Sequence, residues 1–307
     1  MPCAFPQGQK PHSFPNVVMT EELQKKVNRA IRLLQSASKV AAKHGQPLEI
    51  CYSCGKDSEV TLELAKMANI EYRAIYKVTT IDPPGTINHA LSKGVELVRP
   101  KENFFQLIRR KGLPSRTVRF CCQILKEYKI LDYAAVGIRA DESAKRKERY
   151  KEPTQCRVYS STEEVEQYLP ILNWSKQDIE DFITERGIKC HPLYYDEDGR
   201  FHVERRLGCM ACPVASQKHR IEEFKKRPKL VRCYIRSASY YFDHHYKNKN
   251  RKGQKLFNNV YEWFTMTVFC ETMEEFRERF GANLFDDGID CKKFLEDYFK
   301  VSLDGLH

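Results

Sequence analysis

A short strand that passes through a glycine-containing turn into a helix is the feature that most limits what this chain can fold into. Residues 48–52 are typical of a strand, and residues 57–68 carry apolar side chains at helical spacing. A second strand is predicted over residues 72–78 and a further helix through residues 87–91. Upstream, Thr20 is predicted to cap a long helix. Alternating strands and helices predict an α/β, Rossmann-like fold, in which a mostly parallel sheet carries helices on both faces.

The composition excludes several classes of protein. The 307 residues are 41% hydrophobic and 30% charged, which is enough to bury a core and excludes disorder, collagen and coiled coil as descriptions of the whole. The mean hydropathy is -0.60, and no run approaches the ~18 apolar residues of a membrane span. The N-terminal residues lack the basic start and apolar stretch of a signal peptide, so we predict a cytoplasmic protein that has no membrane partner.

The turn after the first strand has the composition of a phosphate-binding loop. At such a junction backbone N–H groups converge, and the positive end of the helix dipole faces outward. Gly55 would allow close approach of a ligand, Lys56 would supply a cation, and the Ser53 and Ser58 hydroxyls would add donors. Asp57 is predicted either to help hold Mg²⁺ or to orient the turn. The alternative is an ordinary glycine turn, and the spacing is not that of a Walker A loop.

Four of the twelve cysteines have the spacing of metal ligands. Cys121 and Cys122 are adjacent, and Cys209 and Cys212 form a C-x₂-C pair that can clamp one metal centre. In a chain expected in the cytosol most cysteines should be thiols, which favours metal binding or catalysis over disulfides. Four thiolates suit either an iron–sulfur cluster or tetrahedral zinc, and unligated thiols are the third alternative.

Residues 53–58, Ser-Cys-Gly-Lys-Asp-Ser, resemble the PP-loop of ATP pyrophosphatases and of the phosphoadenosine phosphosulfate (PAPS) reductase family. The cysteine pair followed by Arg-Arg-Leu-Gly-Cys-Met-Ala-Cys-Pro at residues 205–213 resembles the [4Fe-4S] arrangement of the adenylylsulfate reductases in that family. The resemblance covers about half of the chain and implies an adenine nucleotide α-hydrolase-like fold. It also implies a [4Fe-4S] cluster on Cys121, Cys122, Cys209 and Cys212. Other segments that resemble family signatures are residues 114–122, 137–143, 170–179 and 191–194.

The loop and these signatures together predict a site. Lys56 and Asp57 are the predicted catalytic residues. Arg139 and the other arginines would bind phosphate or sulfate oxygens, with surface ion pairing as the alternative. Glu142 would orient a ligand or pair with one of Arg116, Arg119 and Arg139. The predicted nucleotide-binding residues are Ser53, Cys54, Gly55, Lys56, Asp57, Ser58, Thr80, Asp82, Gly137 and Arg139, and the predicted contacts to a substrate anion are Arg116, Arg119, Glu142 and Arg206.

We predict three consecutive segments along the chain. Residues 1–46 form an N-terminal helical segment, residues 47–215 the PP-loop nucleotide-binding and iron–sulfur domain, and residues 216–307 a basic, aromatic, mainly helical region. Within the middle segment, Trp174 and Asp178 lie one helical turn apart and are predicted to pack and to cap a helix rather than to catalyse.

Two segments depart from the family's sulfonucleotide reductases. Those enzymes act through the cysteine of a Glu-Cys-Gly-Leu-His tail, whereas this chain ends Leu-Asp-Gly-Leu-His, with Asp304 at the nucleophile's position. A carboxylate cannot form the required S–S bond. Residues 79–84, Thr-Thr-Ile-Asp-Pro-Pro, resemble instead the relatives that serve DNA phosphorothioation. We therefore expect ATP with Mg²⁺ to be used for adenylylation; the alternatives are reduction of adenylylsulfate or PAPS, and a non-catalytic binding subunit.

Positive charge is concentrated near the C-terminus. The net charge is +11, and residues 218–255, from Lys218 to Lys255, hold thirteen Lys or Arg against three acidic residues. Interleaved aromatic residues make this stretch typical of contact with nucleic acid or another anionic partner. The alternative is a solvated helical face with aromatic residues in the core, and a partner protein or a homo-oligomer is also compatible with the sequence. The aromatic residues are Tyr234, Tyr240, Tyr241, Phe242 and Tyr246.

Overall fold

The computed structural model describes residues 19–160, 163–247, 253, 255–281 and 288–306. Six strands are β1 Leu48–Tyr52, β2 Tyr72–Lys77, β3 Glu96–Val98, β4 Tyr133–Val136, β5 Thr154–Ser160 and β6 Glu163–Tyr168. The α-helices within these residues are α1 Glu21–Lys43, α2 Lys56–Met67, α3 Thr86–Ser92, α4 Phe104–Lys111, α5 Phe120–Leu125, α6 Ala144–Arg149, α7 Lys176–Glu185, α8 Gln217–Lys226, α9 Pro228–His244, α10 Val260–Phe269, α11 Met273–Phe280 and α12 Cys291–Phe299.

The strands form one mostly parallel sheet, as the sequence predicted. Its order is β3-β2-β1-β4-β6-β5, and β1 pairs in parallel with both β2 and β4. Ile50 at the centre of β1 lies opposite Ala74 on one side and Ala135 on the other. The sheet continues with β6 parallel to β4, and the edge strand β5 runs antiparallel to β6. Because the chain adds β2 and β3 on one side of β1 and then β4 on the other, the sheet has a topological switch point between β1 and β4.

The helices follow the predicted pattern closely. Thr20 caps α1 by accepting a hydrogen bond from the Leu23 N–H, and the helix ends at Lys43, just before Gly45. The buried residues of α1 recur at helical spacing and include Val27 and Leu34, which are fully buried. No helix among the described residues is long and apolar enough to cross a membrane.

The described chain divides into two compact units, each assembled from segments that are not consecutive. The first comprises the described residues up to Tyr76, together with Asn88–Leu97 and Lys129–Leu207. The second comprises Lys77–Ile87, Val98–Tyr128 and the described residues from Gly208 onward. The second unit has its own aromatic core, in which the Phe224 ring lies 5.6 Å from Phe264 and 5.8 Å from Phe299, centroid to centroid. The boundaries predicted after residues 46 and 215 remain a prediction.

The start of α7 shows why Trp174 and Asp178 are structural residues. Asp178 accepts a hydrogen bond from the Ser175 N–H at 2.6 Å, and Ser175 Oγ accepts one from the Asp178 N–H, which completes a capping box. Lys26 Nζ of α1 lies 2.7 Å from Asp178 Oδ2. Burial alone would raise the pKa of the Asp178 carboxyl, but hydrogen bonds from Lys26 and Ser175 hold it below its usual range. Trp174 is buried against Phe182.

We expect the substitution Asp178→Asn to lower the free energy of unfolding by about 1 kcal/mol at pH 7, since it weakens a cap and removes an ion pair. Because the folded-state pKa is lowered, this contribution is present above the unfolded-state pKa and is lost as the pH falls through the folded-state value. Urea denaturation at pH 7 and at acid pH measures it. Glu185→Gln, at the exposed end of the same helix, is the control, and equal stability of both variants at pH 7 would contradict the assignment.

Candidate functional site

The loop between β1 and α2 is held in shape by the Ser58 hydroxyl. Ser58 Oγ accepts a hydrogen bond from the Ser53 N–H at 3.1 Å and donates one to the Gly55 carbonyl at 2.8 Å. Gly55 is the N-cap residue of α2 and has extended backbone geometry. Ser58 is buried, whereas Ser53 is exposed. The Ser58 hydroxyl therefore shapes the loop. The N–H groups of Ser53, Gly55 and Lys56 already donate within the protein, so the exposed Ser53 hydroxyl is the group that can face a ligand.

Cys54 contributes to this loop through its backbone. Its φ of 59° is left-handed, which is uncommon for a residue with a side chain. The thiol is fully buried and hydrogen-bonds with Tyr52. Burial raises the pKa of the Tyr52 phenol, together with the charge of Glu59. The predicted nucleotide contact at Cys54 is therefore restricted to main-chain atoms.

Two buried cations share one carboxylate at the start of α2. Arg139 Nε donates to Asp57 Oδ1 at 2.6 Å, and Lys56 Nζ lies 3.2 Å from Asp57 Oδ2. Lys56 is 5% exposed and Arg139 is 3% exposed. Arg139 also contacts Asp141, with Nη1 3.4 Å from Oδ2, so these bonds use two of its five N–H donors. Since each oxygen of Asp57 already lies against a cation, its position favours the orienting role over magnesium binding.

The end of β4 presses against the first turn of α2. Gly137 follows β4, and a Cβ atom at Gly137 would lie 2.7 Å from the Asp57 carbonyl oxygen and 2.9 Å from Thr61 Oγ1. Only glycine permits that approach. Because β1 and β4 are parallel neighbours, their carboxyl ends meet at one edge of the sheet, where open α/β sheets bind ligands. Gly137 thus brings Arg139 to the loop; the predicted contact of Gly137 with the nucleotide remains a prediction.

Tyr194 connects the loop to a distant segment. Its hydroxyl oxygen accepts a hydrogen bond from the Lys56 N–H at 3.1 Å and another from the Leu207 N–H at 3.4 Å. Lys56 Nζ lies 6.0 Å from the centre of the Tyr194 ring. Burial raises the pKa of the Tyr194 phenol to about 12, although the two N–H donors act in the opposite direction. Sequence reasoning had noted the segment that contains Tyr194 without assigning this residue a role.

A buried acidic residue lies behind the loop. Glu59 of α2 is 2% exposed and accepts a hydrogen bond from Tyr52 Oη at 2.5 Å. It also pairs with His89 Nε2, and Lys93 Nζ lies 3.4 Å away. Burial lowers the pKa of the neighbouring His191 to about 4, with the charge of His89 adding to the effect. Sequence reasoning missed this group; its one signal was a carboxylate on the apolar face of a predicted helix.

The predicted substrate-anion residues belong to different units. In the first unit, Glu142 pairs with Arg146, and Arg206 Nη2 lies 4.0 Å from Glu142 Oε2. In the second unit, Arg116 and Arg119 are exposed, and Arg116 donates to the Val214 carbonyl at 3.3 Å. Within the described chain, the ion pairs of Glu142 are with Arg146 and Arg206 and not with Arg116, Arg119 or Arg139, which corrects the expected pairing, while a role of Glu142 in orienting a ligand remains a prediction. Arg206 is 72% exposed and remains a predicted anion contact.

Thr80 and Asp82 hold a turn of the second unit. Asp82 accepts hydrogen bonds from the Thr79 N–H at 2.9 Å and from the Thr79 hydroxyl at 2.6 Å. Thr80 has a left-handed φ of 62°, and its hydroxyl oxygen accepts from the Phe104 N–H at 2.8 Å. These hydrogen bonds give Thr80 and Asp82 a structural role in the turn. The predicted contact of the two residues with a nucleotide remains a prediction.

The four predicted metal-ligating cysteines line one pocket of the second unit. Cys209 Sγ also lies 3.6 Å from Thr79 Oγ1. Lys126, an exposed residue, also lines this pocket. Within the part of the chain that the structure describes, no three His, Cys, Asp or Glu side chains are already arranged to hold a metal ion. The residues that line this pocket are Thr79, Ile81, Phe104, Cys121, Cys122, Leu125, Lys126, Cys209, Met210, Cys212, Pro213 and Tyr234.

Most aromatic residues of the basic stretch face the core. Tyr234 is buried, so it is not available to stack on a base. The rings of Tyr241, Phe242 and Tyr246 pack at 5.8, 6.1 and 4.7 Å from Trp263, centroid to centroid. Tyr240 is 46% exposed. The predicted binding stretch therefore keeps one exposed aromatic side chain, and its residues 248–252 and 254 lie outside the described residues.

We expect Tyr194→Phe to destabilise the protein by about 1–3 kcal/mol, because two N–H groups lose their buried acceptor. Chemical denaturation measures this change. Tyr72→Phe, which removes a half-buried hydroxyl elsewhere in the first unit, should change the stability less. If the two variants unfold at the same denaturant concentration, the Tyr194 hydroxyl does not support the loop.

Comparisons with known proteins agree with the fold. One relative is an uncharacterized protein of Methanocaldococcus jannaschii. It is 26% identical over 205 residues, which make up 60% of this chain and 40% of that protein. Another is an uncharacterized 37.8 kDa protein of Escherichia phage 186, 30% identical over 156 residues, 46% of this chain and 44% of that protein. The chain thus spans less than half the length of these two relatives.

Among solved structures, the chain matches a PAPS reductase from Candida auris in a phosphate complex, 15% identical with a TM-score of 0.40, covering 64% of this chain and 99% of that chain. A Candida glabrata FMN adenylyltransferase is 17% identical with a TM-score of 0.36, covering 58% of this chain and 61% of that chain. The model of the phosphoadenosine phosphosulfate reductase domain matches residues 47–215, which are more than half of the chain. The protein therefore belongs to the phosphoadenosine phosphosulfate reductase domain family.

Proposed function

We propose that this protein is a PP-loop enzyme that binds ATP at residues 53–58, transfers AMP to an acceptor oxygen and releases pyrophosphate. The observation that carries the proposal is the buried group of Lys56, Asp57 and Arg139 at the start of α2. Two cations share the Asp57 carboxylate, and Asp141, the second carboxylate near Arg139, is 57% exposed and so compensates less of their charge. A cytoplasmic location remains a prediction from the sequence alone.

Three features of the site favour a phosphate chain as the ligand. The loop precedes a helix, so the positive end of the helix dipole faces the ligand. Charges removed from water act more strongly than exposed ones, and the Lys56 and Arg139 side chains are 6% and 4% exposed. The group also lies at the switch point between β1 and β4, where ligands of open α/β sheets bind.

The chemistry follows from these charges. The acceptor oxygen attacks the α-phosphorus, and the bond between the α-phosphorus and the bridging oxygen to the β-phosphate breaks. Pyrophosphate leaves with the electron pair, and the acceptor loses its proton to solvent. Lys56 and the positive end of the α2 dipole stabilise the charge that develops on the leaving group. Asp57 holds the cations in place, and Mg²⁺ would enter with the triphosphate and neutralise part of its charge.

We further propose that Cys121, Cys122, Cys209 and Cys212 hold a [4Fe-4S] cluster. The four thiols line one pocket whose other walls are mainly apolar, and thiolates are the ligands that such clusters use. When bound, the cluster would supply redox chemistry or handle sulfur. Lys126 would place a positive charge next to Cys209 and so compensate part of the negative charge of thiolate ligands. Tetrahedral zinc is the competing occupant.

The C-terminal residues disfavour sulfonucleotide reduction as the main activity. Asp304 is an exposed carboxylate that accepts a hydrogen bond from Lys292 Nζ at 2.6 Å, and it cannot form a thiosulfonate. The nearest alternative thiol along the chain is Cys291, which is buried. Burial raises the pKa of the Cys291 thiol to about 11, so this residue is a thiol rather than a thiolate at neutral pH.

Lys56→Ala should reduce pyrophosphate release from Mg·ATP by at least about 100-fold, because it removes the cation that stabilises the leaving group. Lys66→Ala, in the last turn of the same helix and 45% exposed, is the matched control and should keep the wild-type rate. The assay is pyrophosphate release by anaerobically purified protein, with circular dichroism to confirm folding. Wild-type release by Lys56→Ala would refute the proposal.

Cysteine substitutions test the cluster separately. Anaerobically reconstituted protein should bind ~4 iron atoms per chain and show broad visible absorbance. Cys209→Ser should lose most of the iron, whereas Cys156→Ser, at an exposed cysteine of β5, should retain it. Binding of one zinc ion in place of iron, or iron retained by Cys209→Ser, would contradict the assignment.

A further inference from the structure

One face of α9 presents a row of exposed side chains without a carboxylate among them. Lys229, Cys233, Arg236, Tyr240 and His244 follow one another at intervals of three or four residues, which places them on one side of the helix. All five are exposed, whereas the opposite side of the helix is buried in the core of the second unit. The row therefore faces solvent along most of the helix.

The basic end of α4 extends this row. Helices α4 and α9 pack together in the second unit. The guanidinium carbon of Arg109 lies 5.9 Å from the centre of the Tyr240 ring. Arg109 is followed by Arg110 and Lys111, and Arg110 pairs with Glu102. Two helices thus contribute cations to one surface.

These cations are unneutralised. Among the described residues, Arg109, Lys111, Lys229 and Arg236 form no ion pair. Exposed charges without a partner keep their full attraction for a polyanion, and binding releases the counterions of its phosphates. The surface therefore has the charge that a phosphate backbone requires.

Tyr240 and His244 form a stacked pair within the row. Their ring centroids are 4.4 Å apart and their planes differ by 21°. The His244 Nδ1–H donates to the Tyr240 carbonyl at 2.8 Å, which fixes the histidine ring against the tyrosine. Both side chains are exposed. Flat exposed rings between cations are the arrangement on which unpaired bases stack, whereas paired bases have no free face to offer.

We propose that Arg109, Lys229, Arg236, Tyr240 and His244, here called the α4–α9 surface, bind a single-stranded nucleic acid. An acidic peptide would satisfy the cations, but it would leave the stacked rings unused, so the geometry favours the nucleic acid. The role of this surface rests on the proposed function, since the bound strand would be the macromolecule that receives the AMP.

The test is fluorescence anisotropy of the full chain with labelled 20-nucleotide oligo(dT) and oligo(rU), and with a duplex of the same length. Tyr240→Ala should weaken binding of at least one single strand about fivefold or more, through lost stacking, and Tyr240→Phe should restore it. Lys229→Ala/Arg236→Ala should reduce the slope of log affinity against log salt by about 1.4, since each lost phosphate contact removes ~0.7.

The matched control removes two charges from the same basic stretch but from another helix. Lys218→Ala/Lys226→Ala lies on α8, where both lysines are exposed, and it should change the affinity less than twofold. Equal losses in the α8 and α9 double variants would overturn the proposal, because binding would then depend on net charge alone. The proposal would also be overturned if the protein bound the duplex or poly-glutamate more tightly than the single strands. Undiminished binding of the single strands by Tyr240→Ala would overturn it as well.

Pyrophosphate release separates this inference from the proposed function. With water as the acceptor and no nucleic acid present, Tyr240→Ala should release pyrophosphate at the wild-type rate, since Tyr240 lies outside the unit that holds residues 53–58. Normal release without strand binding refutes the α4–α9 surface and leaves the proposed function intact. Tyr240-dependent strand binding without release from any acceptor refutes the proposed function and supports the surface.

Discussion

The ion pair between Asp57 and Arg139 is the interaction on which the candidate site depends. It connects the first turn of α2 with the segment that follows β4, and both partners are largely removed from water. Removing one partner of a buried pair leaves an uncompensated charge, which is far more destabilising than replacing both partners together. The pair therefore connects the loop to the end of β4 and holds the Arg139 guanidinium beside the carboxylate that Lys56 also contacts, where we propose that phosphate binds. Gly137 makes this possible, because a side chain there would separate β4 from α2.

The two compact units carry different chemistry. The first holds the phosphate-binding loop, Tyr194 and the buried Glu59 group, and the second holds the four thiols of one pocket and the α4–α9 surface. The first site has buried cations, and removal from water strengthens their interaction with a ligand, whereas the cations of the α4–α9 surface are exposed. The family match at residues 47–215 includes parts of both units, and the acceptor of the proposed AMP transfer would be recognised by the second.

Local sequence patterns predicted the fold better than they predicted the site. Strand and helix periodicity located β1, β2, α1 and α2 within one or two residues, because those patterns depend on neighbours along the chain. The partners of Tyr194 and Glu59 are distant in sequence, so no local pattern could identify them. In the basic stretch the sequence did contain the needed signal. Helical spacing places Tyr234 on the buried side of the helix and Tyr240 on the exposed side, but a prediction made from composition alone treated the two residues alike.

Hydrogen–deuterium exchange with and without Mg·ATP tests the central claim most directly, because it reports on the loop amides themselves. We expect slower exchange on ATP binding in peptides that cover residues 53–60 and 137–141, where the loop and Arg139 lie. The protection should be lost in Arg139→Ala, which removes one of the two buried cations. Unchanged exchange in both segments at saturating Mg·ATP, with protection elsewhere in the chain, would contradict the account.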